Sequence, residues 1–258
     1  MDSGRQMSVP PDNAPGGQSR SPRKSQDPVS AYLLEHLALG PTHRVLEVGC
    51  MEGALVLEMA RRAEYVAGVD HSAELIAAAE DRRIQSGANN ITFGAMPADR
   101  VPFDDETFDT VVSREMLHRL DNPDGMLREM ARVMRSAGKL FVADIVADDD
   151  PSRREVQEMI ELVRFGPPIN LHSLAELRAL AAAAPLEIIN HVNLTEVVDA
   201  ALWLPPDRVD PATRKKMLRM LATTARKKTG EIRTHATGKS IAFERRWVLI
   251  IAAKTSSA

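Results

Sequence analysis

Residues 45–53 read VLEVGCMEG, an apolar run that ends in a turn containing two glycines. The first four residues are typical of a short strand buried on both faces of a sheet. Gly49 and Gly53 allow a tight turn, and a pattern typical of a helix continues from Gly53 to Arg62. The stretch therefore predicts a strand, a turn and a helix, which is the repeating unit of an open α/β sheet.

The same alternation continues on both sides of this stretch. Tyr32, Leu33, Leu34 and Leu37 predict a helix before the first strand. Helices are also predicted at 72–86, from Pro123 after a capping Asn122, at 154–163, from Leu174 after a capping box, and from Pro211. Further strands are predicted at 66–69, 91–93, 108–113, 139–146, 186–192 and 243–252. We therefore expect an α/β fold with a doubly wound, mostly parallel, seven-stranded sheet.

The ends and the later part of the chain depart from this alternation. Residues 1–28 are rich in Ser, Pro, Gly, Arg and Gln, and we expect a disordered tail there. Residues 29–258 then form one domain. Insertions at about 147–171 and 195–240 lie, in this topology, beside the crevice where open α/β sheets bind ligands. We expect these insertions to be a helical lid over a substrate.

Composition excludes several classes of protein. The chain has 258 residues and a net charge of -3, which supplies no overall attraction for nucleic acid or anionic membranes. Its single cysteine, Cys50, excludes a disulfide framework and a cysteine-rich metal site, and it suits the reducing cytoplasm. No apolar run reaches the roughly 20 residues that cross a membrane, and no apolar secretory signal is present. We expect a cytoplasmic protein with a small-molecule substrate.

One segment has a charge unlike that of the whole chain. Between Pro211 and Trp247 there are eleven basic residues against two acidic ones. A solvated helix face is the common explanation, and few aromatic residues are interleaved for stacking on bases. Contact with an anionic substrate, a carrier protein or RNA is the alternative, and nucleic acid is the least expected of these partners. No metal is required, and a homodimer is left open.

An acidic residue follows the second predicted strand. Asp70 lies about 20 residues after the glycine turn, where a carboxylate can accept hydrogen bonds from both hydroxyls of an adenosine ribose. The amino end of the helix after the turn presents unpaired backbone N–H groups. Ser72 is placed to cap the next helix. These features indicate a nucleoside-containing ligand at the turn.

Five motifs in order resemble the S-adenosylmethionine (SAM)-dependent methyltransferases. Glu47, Gly49 and Gly53 match the acid-x-Gly-x-Gly-x-Gly turn of that family. Asp70 matches the acid that follows the second strand. Residues 101–103 with 108–109, 114–120 and 127–135 resemble the family's LPF…SFD, ALHHF and LREMARVLKPGG segments. The likeness covers roughly 44–144, and it is nearest to the ubiquinone/menaquinone C-methyltransferase-like, or type 11, group.

The resemblance implies a SAM-dependent methyltransferase of class I fold, with S-adenosyl-L-homocysteine (SAH) as product and a small molecule as acceptor. It assigns nine residues to the cofactor: Glu47, Gly49, Cys50 and Gly53 at the methionine end, Asp70 and His71 at the ribose, Pro97 and Ala98 beside the adenine, and Ser113 at the end of strand four. It places His118 near the acceptor, where a histidine could act as a general base. A structural role for His118 is the competing interpretation.

Two departures from the family pattern leave other functions open. Met51 replaces the middle glycine of the turn, and Met96-Pro97 stands where Gly-Asp is common. We expect Met51 to take a negative φ, with its thioether directed away from the cofactor rather than crowding it. One alternative is a homologue that binds SAM without methylating. The other is a nicotinamide-dependent oxidoreductase, although the turn lacks the G-x-G-x-x-G spacing.

Overall fold

A computed structural model describes residues 28–204, 206, 209–227, 234–237 and 240–255. The predicted disordered tail lies outside the described residues, except for Pro28, which begins the first helix. No helix in the described part of the chain is long and apolar enough to span a membrane.

Strands and helices alternate as the sequence predicts. The strands are β1 (Arg44–Val48), β2 (Tyr65–Asp70), β3 (Ile91–Ala95), β4 (Phe108–Arg114), β5 (Met134–Ile145), β6 (Leu186–Asp199), β7 (Thr234–Thr237) and β8 (Ser240–Lys254). The helices are α1 (Pro28–His36), α2 (Ala54–Met59), α3 (Ala73–Ser86), α4 (Pro123–Val133), α5 (Pro151–Phe165), α6 (Leu174–Ala183), α7 (Ala200–Trp203) and α8 (Pro211–Lys227). A 3-10 helix at Leu117–Arg119 follows β4.

The sheet confirms the predicted fold class. Seven strands lie in the order β3-β2-β1-β4-β5-β8-β6, and the short β7 pairs with β8. Pairs among β1 to β5 are parallel, whereas β8 is antiparallel to both of its neighbours in this order. The carboxyl ends of β1, β2 and β4 therefore meet at one edge of the sheet.

Side chains of successive strand residues pack on opposite faces of the sheet. Leu46 and Val48 join the apolar layer that contains α4 and α6, whereas Val45 joins the layer that contains α1 and α2. This alternation follows from the two-residue period of a strand. Both faces are thus covered, which holds the strand ends in fixed positions.

Helix caps agree with the sequence. The Asn122 side chain accepts a hydrogen bond from the Gly125 N–H at 3.3 Å. Ser173 accepts from the Glu176 N–H at 3.3 Å, and the Glu176 carboxylate accepts from the Ser173 N–H at 2.6 Å. The predicted capping box is therefore confirmed.

Strand β6 is longer than the sequence predicts. It runs to Asp199, seven residues past the predicted end at Val192, and it pairs with β8 as far as Asp199 opposite Ala242. The β-branched residues Thr195, Val197 and Val198 favour this extension. The extended pair leads into α7 and α8, which pack with α5 around a third apolar cluster.

A buried arginine joins this part of the chain to the main sheet. The Arg245 side chain on β8 is 4% exposed, and its Nε and Nη2 donate to Glu161 of α5 at 3.0 and 3.1 Å. Its Nη1 donates to Glu196 of β6 at 2.9 Å, and Nη2 also donates to Glu115, just after β4, at 2.6 Å. The guanidinium also lies 3.9 Å from the ring centroid of Trp203. Four segments of the chain therefore meet at one side chain.

We expect Arg245→Met to lower the free energy of unfolding by about 3–5 kcal/mol, because it leaves buried carboxylates without their partner. Urea denaturation measures this change. Arg246→Met is the matched control, since Arg246 is 47% exposed and pairs with Asp148 at 2.8 Å, and it should cost less than about 1 kcal/mol. Equal losses in the two variants would contradict the structural role of Arg245.

Candidate active site

The turn after β1 needs glycine at two positions. Gly49 and Gly53 have φ of +80° and +75°, in the left-handed region that glycine adopts without strain. A Cβ at Gly53 would lie 2.6 Å from the Phe93 ring, and one at Gly49 would lie 3.0 Å from the Met116 sulfur. The N–H groups of Gly49 and Cys50 both donate to the Val69 carbonyl, at 2.8 and 3.0 Å. The turn is thus closed against the end of β2.

Met51 also adopts a left-handed conformation. Its φ is +49°, so the expected negative φ is wrong. The reason is a tertiary hydrogen bond: the Met51 N–H donates to Oδ2 of Asp70 at 3.0 Å. The side chain borders the cavity described below. A strained backbone at this position is therefore held in place by the end of β2.

Asp70 organises the edge of the site. One carboxylate oxygen accepts the Met51 N–H, and the other accepts the Ser72 N–H at 3.0 Å. His71 Nδ1 lies 3.3 Å from Oδ1 of Asp70, and the His71 side chain is exposed. A carboxylate has about four acceptor positions, so beside Met51, Ser72 and His71 the Asp70 carboxylate keeps capacity for at least one further donor such as a ribose hydroxyl.

Glu47 lies below the turn at the end of β1 and is 2% exposed. Burial raises the pKa of its carboxyl to about 8, with a further rise from the charge of Asp70 and an opposing effect from Arg114. Within the described residues, no hydrogen-bond partner reaches its buried Oε2. An unpaired buried carboxylate oxygen is costly, and it fits a ligand that brings a donor such as an ammonium group.

The other predicted cofactor residues lie in different surroundings. The Cys50 thiol is packed in the α1 and α2 layer, and burial raises its pKa. Ser113 lies on β4 opposite Val48 of β1 and is buried, and its hydroxyl has no hydrogen-bond partner among the described residues. Pro97 and Ala98 follow β3, where the Met96 N–H donates to the Asp70 carbonyl at 2.8 Å. Pro97 and Ala98 do not line the cavity.

A cavity of about 240 Å³ opens beside the turn. Its lining includes Gly49, Asp70 and His71 together with Arg114 and Glu115. Pro168 of the first insertion also borders it. A larger cavity of about 380 Å³ lies against α8, but none of the predicted site residues lines it. The smaller cavity is therefore the better candidate site.

His118 lies behind this cavity rather than in its wall. It is 1% exposed, and its Nδ1 is hydrogen-bonded to Asp144, which also accepts the N–H groups of Leu117 and Ile145 at 2.7 Å. Burial lowers the pKa of His118, but the charge and hydrogen bond of Asp144 outweigh burial and raise it. The pair anchors the 3-10 helix to β5. A general-base role for His118 stays a prediction.

Two residues of the cavity wall had only a weak signal in the sequence. Arg114 and Glu115 look like a pair at the cleft edge, and their Nη1 and Oε2 atoms lie 3.8 Å apart. The closer partner of Glu115 is Arg245, 130 residues along the chain, which no local pattern indicates. Trp203 packs against Arg245 and Phe243 and does not line the cavity.

We expect Met51→Gly to raise the free energy of unfolding by about 0.5–1 kcal/mol. A left-handed conformation costs a non-glycine residue roughly 1–2 kcal/mol, and the greater freedom of glycine in the unfolded chain offsets part of that gain. Met51→Ala is the control, because it removes the thioether but keeps the Cβ and the strain. In urea denaturation, the free energy of unfolding of Met51→Gly should exceed that of Met51→Ala. The reverse order would contradict a strained backbone at Met51.

Glu47 should make the protein less stable as pH rises. Its folded pKa of about 8 exceeds the ordinary 4.5, so between these values the folded state binds more protons than the unfolded state. Glu47→Gln should remove this loss of stability. Between pH 5 and pH 8, the free energy of unfolding of the variant should rise by at least about 1 kcal/mol relative to that of the wild type. Urea melts at several pH values measure it. Glu52→Gln, at a half-buried glutamate of the same turn, is the control, and its free energy of unfolding should stay within about 0.5 kcal/mol of the wild type's across this range.

Comparison with known proteins agrees with this geometry. Residues 46–142 match a family model described as a methyltransferase domain. The chain is 28% identical over 178 residues to the uncharacterized methyltransferase YcgJ of Bacillus subtilis, covering 68% of this chain and 69% of that protein. It is 31% identical over 153 residues to a phosphatidylethanolamine N-methyltransferase of Cereibacter sphaeroides, covering 59% of this chain and 74% of that protein.

Solved structures share the fold. The crystal structure of YcgJ has a TM-score of 0.78 and 22% identity, with 89% of this chain and 99% of that chain covered. A putative methyltransferase of Bacillus halodurans has a TM-score of 0.80 and 18% identity, with 88% and 99% covered. The chain belongs to the class I SAM-dependent methyltransferases.

Proposed function

We propose that this methyltransferase binds its small-molecule acceptor in the cavity between the glycine turn and the segment after β4. The observation that carries the proposal is the lining of that cavity, which joins Gly49, Asp70 and His71 to Arg114 and Glu115. Donor and acceptor must be adjacent for a methyl group to pass between them, and alignment of this kind is a large part of catalysis.

The residues at the turn suit SAM. We propose that the unpaired oxygen of Glu47 receives the ammonium of the methionine end, and that the free acceptor positions of Asp70 receive the ribose hydroxyls. Gly49 and Gly53 supply the positive φ angles of the turn and leave room for the Met116 and Phe93 side chains. Cys50, His71, Pro97, Ala98 and Ser113 stay proposed cofactor contacts, of which only His71 lines the cavity.

When bound, SAM supplies a methyl group already activated on a sulfonium, so no metal is needed to activate it. The chain then has to hold the acceptor in line and, for an acidic acceptor atom, to take up a proton. We propose that His118 contributes by positioning. Its buried bond to Asp144 fixes the 3-10 helix that follows the Arg114 and Glu115 wall. Direct proton transfer would require Nε2 to reach the cavity.

We also propose that the two insertions cover the substrate and that the protein is cytoplasmic. Pro168 supports the first insertion as part of the substrate cover, whereas support for the second is indirect, through Arg245. The single cysteine is free and buried, which suits the cytoplasm. A partner other than a small molecule is not proposed. A homodimer can be checked by light scattering after size-exclusion chromatography.

We expect SAH to bind with a dissociation constant in the micromolar range, about -8 kcal/mol. Asp70→Ala should weaken binding by roughly 1–3 kcal/mol, because the ribose hydroxyls lose their acceptor. Isothermal titration calorimetry measures both values, and Asp70→Asn separates loss of charge from loss of the turn's hydrogen bonds.

Asp121→Ala is the control, since Asp121 borders the same cavity but takes no part in the hydrogen bonds that the described structure shows at the turn. It should leave SAH affinity within about twofold of the wild type. If the wild-type protein shows no binding at millimolar SAH, the proposed site is wrong, and a homologue that does not methylate becomes the better account.

A further inference from the structure

Arg119 is a cation of the cavity wall without an acidic partner in the described part of the chain. It belongs to the 3-10 helix after β4, lines the cavity and is half-buried. Among the described residues, no carboxylate pairs with its guanidinium and no oxygen accepts from its side-chain N–H groups. A guanidinium has five N–H donors in a fixed planar arrangement. An acidic group of a ligand in the cavity can therefore use donors that the protein leaves free.

The position of Arg119 is fixed from two directions. Its guanidinium carbon lies 4.6 Å from the ring centroid of Phe165, the last residue of α5. A backbone N–H of the 3-10 helix donates to Asp144 at 2.7 Å, and the Asn170 N–H donates to the His118 carbonyl at 2.7 Å. A cation–π contact supplies no oxygen acceptor. The guanidinium is thus held in place without being neutralised.

The other arginines near the cavity already have partners. Arg114 lies 3.8 Å from Glu115 in the same wall. Arg245 is buried and pairs with three carboxylates. Arg164 donates to a backbone carbonyl and does not line the cavity. Within the part of the chain that the structure describes, Arg119 is therefore the lining arginine that a ligand can pair with at least cost.

The acids of the cavity wall do not occupy Arg119. The Asp70 carboxylate accepts backbone N–H groups from the turn and from the start of α3, and Glu115 accepts from Arg245 at 2.6 Å. Asp121 is exposed and lies two residues from Arg119, but an ion pair in contact with water is weak. A ligand that pairs with Arg119 inside the cavity therefore has only a weak competitor in this wall.

We infer that Arg119 recognises the methyl acceptor, and that the acceptor carries a carboxylate or phosphate group. Either group presents two oxygen atoms to one guanidinium, which binds them through paired N–H groups. Phe165 is a positioning residue, because it contacts the guanidinium and does not itself line the cavity. The inference rests on the proposed function, since it requires an acceptor in this cavity.

The test uses full-length protein saturated with SAH, which has no net charge and lacks the sulfonium that would itself attract an anion. Four probes share a benzene ring: benzoate, phenylphosphonate, benzyl alcohol and benzylammonium. Ligand-observed NMR titration gives the affinity of each probe. At least one of the two anions should bind about tenfold more tightly than benzyl alcohol, and benzylammonium should bind weakest. The tighter anion identifies which acidic group the acceptor carries.

Two variants of Arg119 separate recognition from packing. Arg119→Met removes the charge but keeps a flexible chain that can pack on Phe165, so it should abolish the preference for the anion. Arg119→Lys keeps the charge without the planar fork and should lower the preference at least about threefold. Calorimetry should show SAH affinity within about twofold of the wild type in both variants. If Arg119 served packing alone, Arg119→Met would weaken all four probes equally.

Arg128→Met is the matched control, because Arg128 is an exposed arginine of α4 that pairs with Asp124 and does not line the cavity. This variant should keep the preference for the anion. Asp121→Asn should keep or increase it, since the change removes a negative charge from the cavity wall. Circular dichroism checks that each variant is folded, and Arg119→Lys carries the test if Arg119→Met does not fold.

Five results would overturn the inference: benzyl alcohol or benzylammonium binding as tightly as both anions, no probe binding at about 10 mM, an unchanged preference in Arg119→Met, an equal loss in Arg128→Met, or a loss of SAH affinity above about tenfold in Arg119→Met. The last result would assign the guanidinium to the carboxylate of the cofactor. Failure of the wild-type protein to bind SAH would contradict the proposed function instead, and this inference would fall with it.

Discussion

The burial of the Arg245 guanidinium is the constraint on which the cavity wall at Glu115 depends. A charge removed from water needs well-placed partners, and removing one partner is strongly destabilising. Here the partners come from the segment after β4, from α5 and from β6. Because a guanidinium is planar and donates in fixed directions, these segments can meet only in one arrangement. The cavity wall at Glu115 therefore takes its position from a strand that does not itself line the cavity.

The turn after β1 is also held by a buried charged group, the carboxylate of Asp70, but the partners of this carboxylate are backbone groups. Asp70 joins the turn after β1 to the start of α3 through the N–H groups of Met51 and Ser72. These bonds are strong enough to keep Met51 in a left-handed conformation that glycine usually supplies. A substitution that looks disruptive in the family pattern is thus compatible with the turn. Glu47 lies below the turn, and its buried Oε2 has no hydrogen-bond partner among the described residues. Packing alone does not explain a buried polar atom of this kind.

The sequence predicts those features that are determined by residues close together in the chain. The strands from β1 to β5, the cap at Asn122 and the capping box at Ser173 all depend on residues a few positions apart. The position of Asp70 at the edge of the sheet also follows from one βαβ unit, whereas its contact with a ribose stays a prediction. The φ of Met51 could not be predicted, because a bond to a residue 19 positions away sets it. The extension of β6 to Asp199 likewise depends on pairing with β8.

The region that matches the family model contains only part of the residues that build the cavity wall and hold it in place. The matched region, residues 46–142, contains Glu47, Asp70 and Glu115, but it ends before Glu161, Glu196 and Arg245. The methyl donor is therefore identified by the part of the chain that its relatives share in the family model. The position of Glu115 in the cavity wall is set by Arg245 of β8, which also pairs with Glu161 of α5 and Glu196 of β6, and these three residues lie outside the matched region. The family motifs therefore do not determine this part of the cavity wall, which depends on contacts between residues far apart in the chain.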